Sequence, residues 1–470
     1  MANEEELFQK RIPIYPRSVK GYYRTLKYSI LFVAYAVYFL LPWIPWSRPD
    51  GPSQAVLFDI VTRRFYLFNL TVYAQDIFWL AGILIVGAFL LFFVTGLAGR
   101  VFCGYFCFQT LWTDVFQLIE KLVQGERNAR IKLAAAPWNL NKIVRMSLTW
   151  LLWLLVAFLT GLSFTLYWGR APDLFMQIFT GQAPFPAYAT TLFLTATTFV
   201  MAGLAREQVC TYMCPYARFQ SVMFDPDTLI VAYDERRGER EKGRAKPAKG
   251  MLAMQERIDQ GVGDCIDCGY CVQVCPVGID IRNGLQYQCI TCALCIDACN
   301  TIMTSIKYPT GLIRYTSENA LEGKRTNWFK FKNIGYALAI LVVIGLLGWS
   351  ISHRTLLEMS VRQVRQPLYV TLSDGSIQNR YSIKINNKRP EAVKYTLTVQ
   401  GLPGAHWEVR PSPQISLQPG ESASYEVRVW LKPNALTEHE HDFSFVLQHP
   451  NQDKDLVRSE VDFYMPRNLR

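Results

Sequence analysis

Eight of the twelve cysteines in this 470-residue sequence have the spacing of iron–sulfur ligands. The spacing C-x2-C-x2-C-x3-C occurs twice in tandem, at Cys265, Cys268, Cys271 and Cys275 and again at Cys289, Cys292, Cys295 and Cys299. Pro276 follows the first run, and Asn300 replaces the proline after the second. Structural zinc sites normally use two separate C-x2-C pairs, so the tandem pattern favours [4Fe–4S] clusters over zinc.

The spacing also predicts which cysteines share a cluster. Three thiolates separated by two residues hold one face of a cubane, whereas the fourth, one helical turn further on, reaches the other cluster. One [4Fe–4S] cluster then takes Cys265, Cys268, Cys271 and Cys299, and the other takes Cys289, Cys292, Cys295 and Cys275. This part of the chain resembles the bacterial dicluster ferredoxins, in which electrons pass between two clusters held in one small domain.

The other four cysteines form two pairs with the pattern Cys-x-Tyr-x-Cys. Cys103 and Cys107 lie in "GRVFCGYFCFQT", Cys210 and Cys214 lie in "EQVCTYMCPYARFQ", and each pair follows a long apolar run. If those helices continue past the bilayer, each pair occupies positions i and i+4, with Cβ atoms about 5–6 Å apart. Pro215 would then end the second helix just after its pair.

Four thiolates meeting at one site would suit a soft metal ion such as Cu(I), zinc or iron. The residues leave four possibilities open, namely a copper site, a third iron–sulfur cluster, an all-thiolate zinc site, or buried cysteines that act only as small apolar residues.

Five apolar runs are long enough to cross about 30 Å of hydrocarbon as helices. They span residues 28–46, 77–99, 147–168, 188–205 and 335–351. The segment between the first two runs carries Asp59, Arg63 and Arg64, so we expect it to stay outside the hydrocarbon. The sequence therefore predicts a multi-pass membrane protein.

The distribution of positive charge predicts the orientation. Lysines and arginines cluster before the first run, between the second and third, and after the fourth, whereas the loop between the third and fourth holds only Arg170. The positive-inside rule then places residues 206–330 in the cytoplasm and the region after the fifth run in the periplasm of a bacterial inner membrane. The net charge of +11 follows from this topology, so we expect no nucleic-acid partner.

Cysteines and histidines lie on opposite sides of this predicted topology. All twelve cysteines fall within 103–299, and all five histidines follow the last apolar run. Cysteines confined to a reducing compartment indicate metal or redox chemistry rather than disulfides. A membrane haem held by two histidines is excluded, because no histidine lies within or between the apolar runs.

Residues 366–466 have the pattern of a β-sandwich. Short segments such as "YSIKINNK", "VKYTLTVQG", "ASYEVRVWL" and "HDFSFVLQH" alternate apolar and polar residues, and turn residues separate them. We predict an immunoglobulin-like fold for this region, which contains no cysteine.

These observations predict a multidomain membrane protein. A five-span α-helical bundle would carry a cytoplasmic dicluster [4Fe–4S] ferredoxin insert and a C-terminal periplasmic immunoglobulin-like β-sandwich. The predicted segments are a cytoplasmic N-terminus (1–27), a four-span core with both thiol pairs (28–230), a basic solvated linker (231–255), the ferredoxin domain (256–306), a second linker (307–334), the fifth helix (335–352) and the sandwich (353–470).

This order of parts resembles the FixG/CcoG/RdxA family, accessory proteins of cbb3-type cytochrome c oxidase assembly, over nearly the whole chain. The resemblance implies a protein that reduces Cu(II) to Cu(I) for the oxidase copper centre, using two [4Fe–4S] clusters. The family's metal-handling motif is Cys-x3-Cys-Pro. Cys210, Cys214 and Pro215 match it, whereas Phe108 follows Cys103 and Cys107 where proline is expected.

The leading hypothesis is a cupric reductase whose copper-binding, catalytic thiols are Cys103, Cys107, Cys210 and Cys214. Its partners would be an unidentified cytoplasmic or quinol electron donor and a copper transporter, chaperone or oxidase assembly factor. One alternative is a quinol dehydrogenase, similar to the membrane ferredoxins of periplasmic nitrate and nitrous oxide reduction. The other is a non-catalytic scaffold for oxidase assembly.

Overall fold

The computed structural model describes residues 13–48, 51–73, 76–251, 253–353, 355–389, 391–432, 439–449 and 452–466. The chain forms two compact units, one of residues 1–47 and 52–347 and one of residues 48–51 and 348–470. Of the predicted N-terminal segment 1–27, the structure describes residues 13–27.

Within the described ranges, five helices are long and apolar enough to cross a membrane, so the chain is a multi-pass membrane protein, as predicted. They span Tyr22–Trp43, Ile77–Ala98, Leu140–Leu166, Phe185–Ala205 and Phe331–Ser352. The third helix begins seven residues before the predicted run at 147. Its first turns include the charged Lys142 and Arg145, which an apolar run does not contain.

The first unit contains four of these helices, the fifth as far as residue 347, and several shorter ones. The helices are α1 (Tyr22–Leu40), α2 (Ile77–Ala98), α3 (Val101–Tyr105), α4 (Phe108–Gln124), α5 (Arg127–Ala135), α6 (Leu140–Leu166), α7 (Ala171–Thr180), α8 (Phe185–Thr198), α9 (Pro215–Val222), α10 (Glu235–Gly238), α11 (Met254–Asp259), α12 (Tyr270–Gln273), α13 (Leu294–Ser305), α14 (Glu318–Leu321) and α15 (Phe331–Ser352). Three antiparallel strands follow α1, namely β1 (Val56–Asp59), β2 (Arg64–Leu67) and β3 (Leu70–Tyr73). This small sheet occupies the segment that we expected outside the hydrocarbon.

Helix α4 joins the first thiol pair to the helical bundle. The Trp112 indole donates a hydrogen bond to the Thr160 hydroxyl of α6 at 2.7 Å. Further along α4, the buried Glu120 carboxylate forms ion pairs with Arg130, at 3.0 Å, and with Arg206. A buried carboxylate needs cationic partners. These contacts therefore fix α4 against the segment that follows the fourth span.

The ferredoxin module is larger than predicted. Strands β4 (Ile230–Tyr233) and β5 (Ile313–Thr316) pair antiparallel, so both predicted linkers contribute to it. The basic stretch 231–255 is solvated only in part. Residues 241–250 are exposed or half-buried, whereas Arg237 and Arg240 pair with the buried Asp264 carboxylate at 2.6 and 3.2 Å. Arg257 is fully buried and donates hydrogen bonds to backbone carbonyls of the segment that leads into the first cysteine run.

The second unit is a β-sandwich, as predicted. Its strands are β6 (Leu357–Gln363), β7 (Val370–Thr371), β8 (Ile377–Asn387), β9 (Val393–Gln400), β10 (His406–Arg410), β11 (Gln414–Leu417), β12 (Ser422–Leu431), β13 (Glu440–His449) and β14 (Gln452–Tyr464). One sheet has the order β10-β12-β8-β6, with β7 also paired to β8, and the other has the order β11-β9-β13-β14. Alternate residues such as Tyr381, Ile383 and Ile385 of β8 are fully buried in the core. This is the period of two that the sequence shows.

Candidate metal and electron-transfer site

The backbone breaks before each thiol pair at equivalent positions. After α2, Gly99 has a φ of +57°, and after the fourth span Arg206 has a φ of +46°. In both places a short helical segment follows and carries the first thiol four residues later, Cys103 in α3 and Cys210 in the π-helical turn Val209–Met213. The backbone therefore follows the same course before both thiol pairs, with a positive-φ residue and then a short helical segment.

The second thiol of each pair lies outside that short helical segment. Cys107 and Cys214 are extended, with φ and ψ of −63° and 128° and of −81° and 110°. Their N–H groups donate to the carbonyls five residues earlier, Phe102 at 2.9 Å and Val209 at 2.8 Å. The prediction that each pair lies at i and i+4 on a continuing helix is therefore wrong.

The proline of the family motif begins a helix instead of ending one. Pro215 is the first residue of α9, where its missing N–H and fixed φ are tolerated. Phe108 is likewise the first residue of α4. The departure from the Cys-x3-Cys-Pro motif at Phe108 therefore leaves the local backbone unchanged.

The four thiols are close enough to influence one another's ionisation. Burial raises the pKa of the Cys210 thiol to about 12, and the neighbouring Cys107, Cys103 and Cys214 thiols raise it further. Burial also raises the pKa of Cys103 to about 11, where Arg100 opposes the effect. Among the described residues, no three Cys, His, Asp or Glu side chains converge tightly enough to hold a single metal ion.

The first thiol pair packs directly on the ferredoxin module. The Tyr105 hydroxyl donates to the Cys292 carbonyl at 3.1 Å, and Cys103 shares an apolar cluster with Ile290 and Cys292. A Cβ atom on Gly104 would lie 2.7 Å from the Ile290 carbonyl oxygen. Only glycine permits this approach, so α3 lies in backbone contact with the loop of the second cysteine run.

The ferredoxin thiols form two groups. An apolar cavity is lined by four of the cysteines that spacing assigns to one cluster, Cys275, Cys289, Cys292 and Cys295, together with Cys271. Burial raises the pKa of Cys299 to about 12, and the thiols that raise it further are Cys271, Cys265 and Cys268. The structure thus brings together the crossed sets, while the ligand assignment itself stays a prediction.

The two cysteine loops also share a backbone conformation. The residues on either side of the second cysteine have positive φ in each loop, Asp267 and Gly269 in the first and Thr291 and Ala293 in the second. Left-handed residues other than glycine are uncommon and mark functional loops. Two loops of this shape beside an apolar cavity lined by thiols suit iron–sulfur clusters, which thiolates hold.

Arg100 provides an independent test of whether an anionic cluster fits here. Its guanidinium is buried, and within the described part of the chain its Nε and Nη2 atoms have no hydrogen-bond partner. A buried cation without an anionic partner is costly, so an anion beside Arg100 would stabilise it. A cluster ligated by four thiolates is anionic and would supply that charge.

Sequence reasoning identified the thiols but missed Arg100, Gly104 and Tyr105. The shared tyrosine of the Cys-x-Tyr-x-Cys pattern has no common role, because Tyr105 is buried whereas Tyr212 is 67% exposed. The one available signal was Gly104 itself, a glycine inside a short helix that carries a functional cysteine.

Comparison with known proteins agrees with this division of the chain. A model described as a 4Fe-4S dicluster domain matches residues 205–318, and a 4Fe-4S binding domain model matches residues 80–124. A third model, an Ig-like fold at the C-terminus of FixG, matches residues 347–466.

Three curated relatives match over most of their length. The nitrogen fixation protein FixG of Rhizobium meliloti is 36% identical, over 98% of this chain and 94% of its own. RdxA of Cereibacter sphaeroides is 41% identical over 91% of this chain and 90% of its own, and RdxB of the same organism is 44% identical over 84% and 83%. The chain therefore belongs to the FixG/RdxA family and is a membrane protein of the ferredoxin type that transfers electrons through iron–sulfur clusters.

Proposed function

We propose that this protein reduces Cu(II) to Cu(I) at Cys103, Cys107, Cys210 and Cys214, for assembly of a cbb3-type cytochrome c oxidase. The observation that carries the proposal is the backbone contact between Gly104 and the loop of Ile290 and Cys292. It supports the proposal because Cys103, one of the four proposed soft ligands, lies in the same short helix as Gly104 and beside a predicted iron–sulfur site. Thiolates favour Cu(I) over Cu(II), so binding there assists reduction.

The two clusters would be held by the crossed cysteine sets. Of the eight ferredoxin cysteines, all of which lie within the described residues, only Cys268 is exposed. The predicted cluster of Cys265, Cys268, Cys271 and Cys299 is therefore the one that an external donor can approach. When bound, the clusters supply single electrons, so that each Cu(II) that gains one electron becomes Cu(I) and one cluster is left oxidised.

The proposal includes an orientation and partners. The thiol pairs and the ferredoxin module would face the cytoplasm of a bacterial inner membrane, and the sandwich would face the periplasm, because lysines and arginines are concentrated on the thiol-bearing side. The electron donor would be a cytoplasmic protein or a quinol. The Cu(I) acceptor would be a copper transporter, a copper chaperone or an oxidase assembly factor.

Anaerobic copper reduction by the full-length protein in detergent tests the proposal. The clusters are reduced with dithionite, the excess is removed, and Cu(II) is added with a chromogenic Cu(I) chelator. We expect the double variant Cys210→Ala/Cys214→Ala to keep its iron and lose most of the Cu(I) formation. Tyr212→Phe is the matched control, since this exposed side chain lies between the two thiols.

Two readouts would contradict the proposal. Unchanged Cu(I) formation in the double variant would exclude these thiols as the site of reduction. A loss of two free thiols for every two Cu(I) ions formed would show that the cysteines themselves are oxidised to a disulfide and that the clusters supply no electrons.

A third iron–sulfur cluster at the same thiols is the second candidate. It is favoured by the 4Fe-4S binding domain match to residues 80–124, in which Cys103 and Cys107 are the only cysteines. Iron analysis of anaerobically purified protein separates the two. About eight irons per chain fit two cubanes and leave the thiols for copper, whereas about twelve assign them to a third cubane.

A further inference from the structure

We propose that Arg100 is the counter-ion of one iron–sulfur cluster. Its guanidinium charge would stabilise the reduced form of the cluster predicted at Cys275, Cys289, Cys292 and Cys295. The inference rests on the iron–sulfur part of the proposed function and not on copper.

Arg100 reaches from the start of α3 to the ferredoxin module. It precedes α3 and lies three residues before Cys103, and its carbonyl accepts a hydrogen bond from the Gly104 N–H at 3.2 Å. Its side chain points to the ferredoxin module, where Nη1 donates to the carbonyl of Tyr287. Tyr287 lies two residues before Cys289, the first cysteine of the second run.

Within the described residues Arg100 has no carboxylate partner, in contrast to the buried Arg130. Arg100 is 2% exposed, and within the described ranges Nε and Nη2 have no hydrogen-bond partner. Arg130 is as deeply buried, at 4% exposed, but it forms an ion pair with Glu120 at 3.0 Å. The Arg100 charge is therefore left for groups other than carboxylates.

The sign of the effect on reduction follows from charge. Adding an electron makes an anionic cluster more negative, and a nearby buried cation stabilises that state more than the oxidised one. Hydrogen bonds and charge near cluster sulfurs are known determinants of cluster potential. Removing the charge of Arg100 should therefore make one of the two clusters harder to reduce and leave the other nearly unchanged.

The test is a redox titration of full-length protein followed by EPR, anaerobic and without added copper. In Arg100→Gln we expect the ratio of reduced to oxidised cluster, at the wild-type midpoint, to fall about tenfold for one cluster, which is about 59 mV for one electron. Arg100→Lys keeps the charge and should stay within about threefold of wild type. Arg130→Gln, the matched buried arginine, should move neither midpoint.

Two results would overturn the inference. One is unchanged midpoint potentials in Arg100→Gln, and the other is equal shifts in Arg100→Gln and Arg130→Gln. If Arg100→Gln loses one cluster, the iron content of Arg100→Lys shows whether Arg100 acts through its charge or through packing. Retention of all iron in Arg100→Lys would support a role for charge, and loss in both Arg100 variants would show that Arg100 serves packing alone.

Discussion

The contact at Gly104 gives the sharpest structural prediction. In Gly104→Ala the new methyl carbon would lie 2.7 Å from the Ile290 carbonyl oxygen, 3.0 Å from Cys292 Cα and 3.1 Å from Cys292 N. All three are backbone atoms, so no side chain can rotate away. Either α3 or the loop of the second cysteine run must move.

The expected cost follows from two opposing terms. Overpacking a close contact typically costs about 1–3 kcal/mol. Replacing glycine by alanine in a helix is otherwise favourable by about 0.5–1 kcal/mol. The difference is a net loss of up to about 2.5 kcal/mol of stability. We also expect slower copper reduction, because the two sulfur sites are pushed apart.

The assay follows the loss of visible cluster absorbance on heating, and the rate of Cu(I) formation at a fixed temperature. Gly87→Ala is the control, since no atom lies within 4 Å of a Cβ built on that helical glycine. We expect Gly104→Ala to melt a few degrees lower and Gly87→Ala to be neutral or slightly stabilised. Equal stability and equal rates in Gly104→Ala and wild type would refute the argument that backbone contact couples the sites.

Two further predictions concern protons and the ferredoxin module. Because the pKa values of Cys103 and Cys210 are raised to about 11 and about 12, both thiols are protonated at neutral pH and a metal ion must displace their protons. The affinity for a thiophilic ion should therefore rise from pH 7 to pH 9, by about tenfold per pH unit for each proton released. Chelator competition measures this affinity. An affinity independent of pH would exclude these thiols as ligands. Asp264→Asn leaves Arg237 and Arg240 without their buried carboxylate and should destabilise the ferredoxin module by about 3 kcal/mol. The loss is measured as faster proteolysis and faster iron loss. Unchanged iron content on heating would show that the ion pairs contribute little.

Local spacing predicted the features whose causes are local. The five spans follow from the length of helix that hydrocarbon requires, and the sandwich follows from alternation in segments such as β8. The grouping of Cys299 with the first run follows from a fixed spacing, because the fourth cysteine of each run lies one helical turn beyond the third.

The features that the sequence did not reveal depend on contacts between distant parts of the chain. Gly104 meets Ile290 and Arg100 meets Tyr287, pairs that no periodicity relates. The helical continuation through Cys107 failed for a different reason. The apolar run did not indicate that the Cys107 N–H would donate to the Phe102 carbonyl, five residues earlier. It also did not indicate that a new helix would begin at Phe108.

A single-turnover experiment tests the central claim most directly. Protein with reduced clusters and no free reductant is mixed anaerobically with one equivalent of Cu(II), and the clusters and copper are followed together by EPR. The account predicts that the Cu(II) signal and the signal of one reduced cluster disappear at the same rate, with the thiol count unchanged, and that neither changes in Cys210→Ala/Cys214→Ala. Loss of the Cu(II) signal while both clusters stay reduced would contradict it.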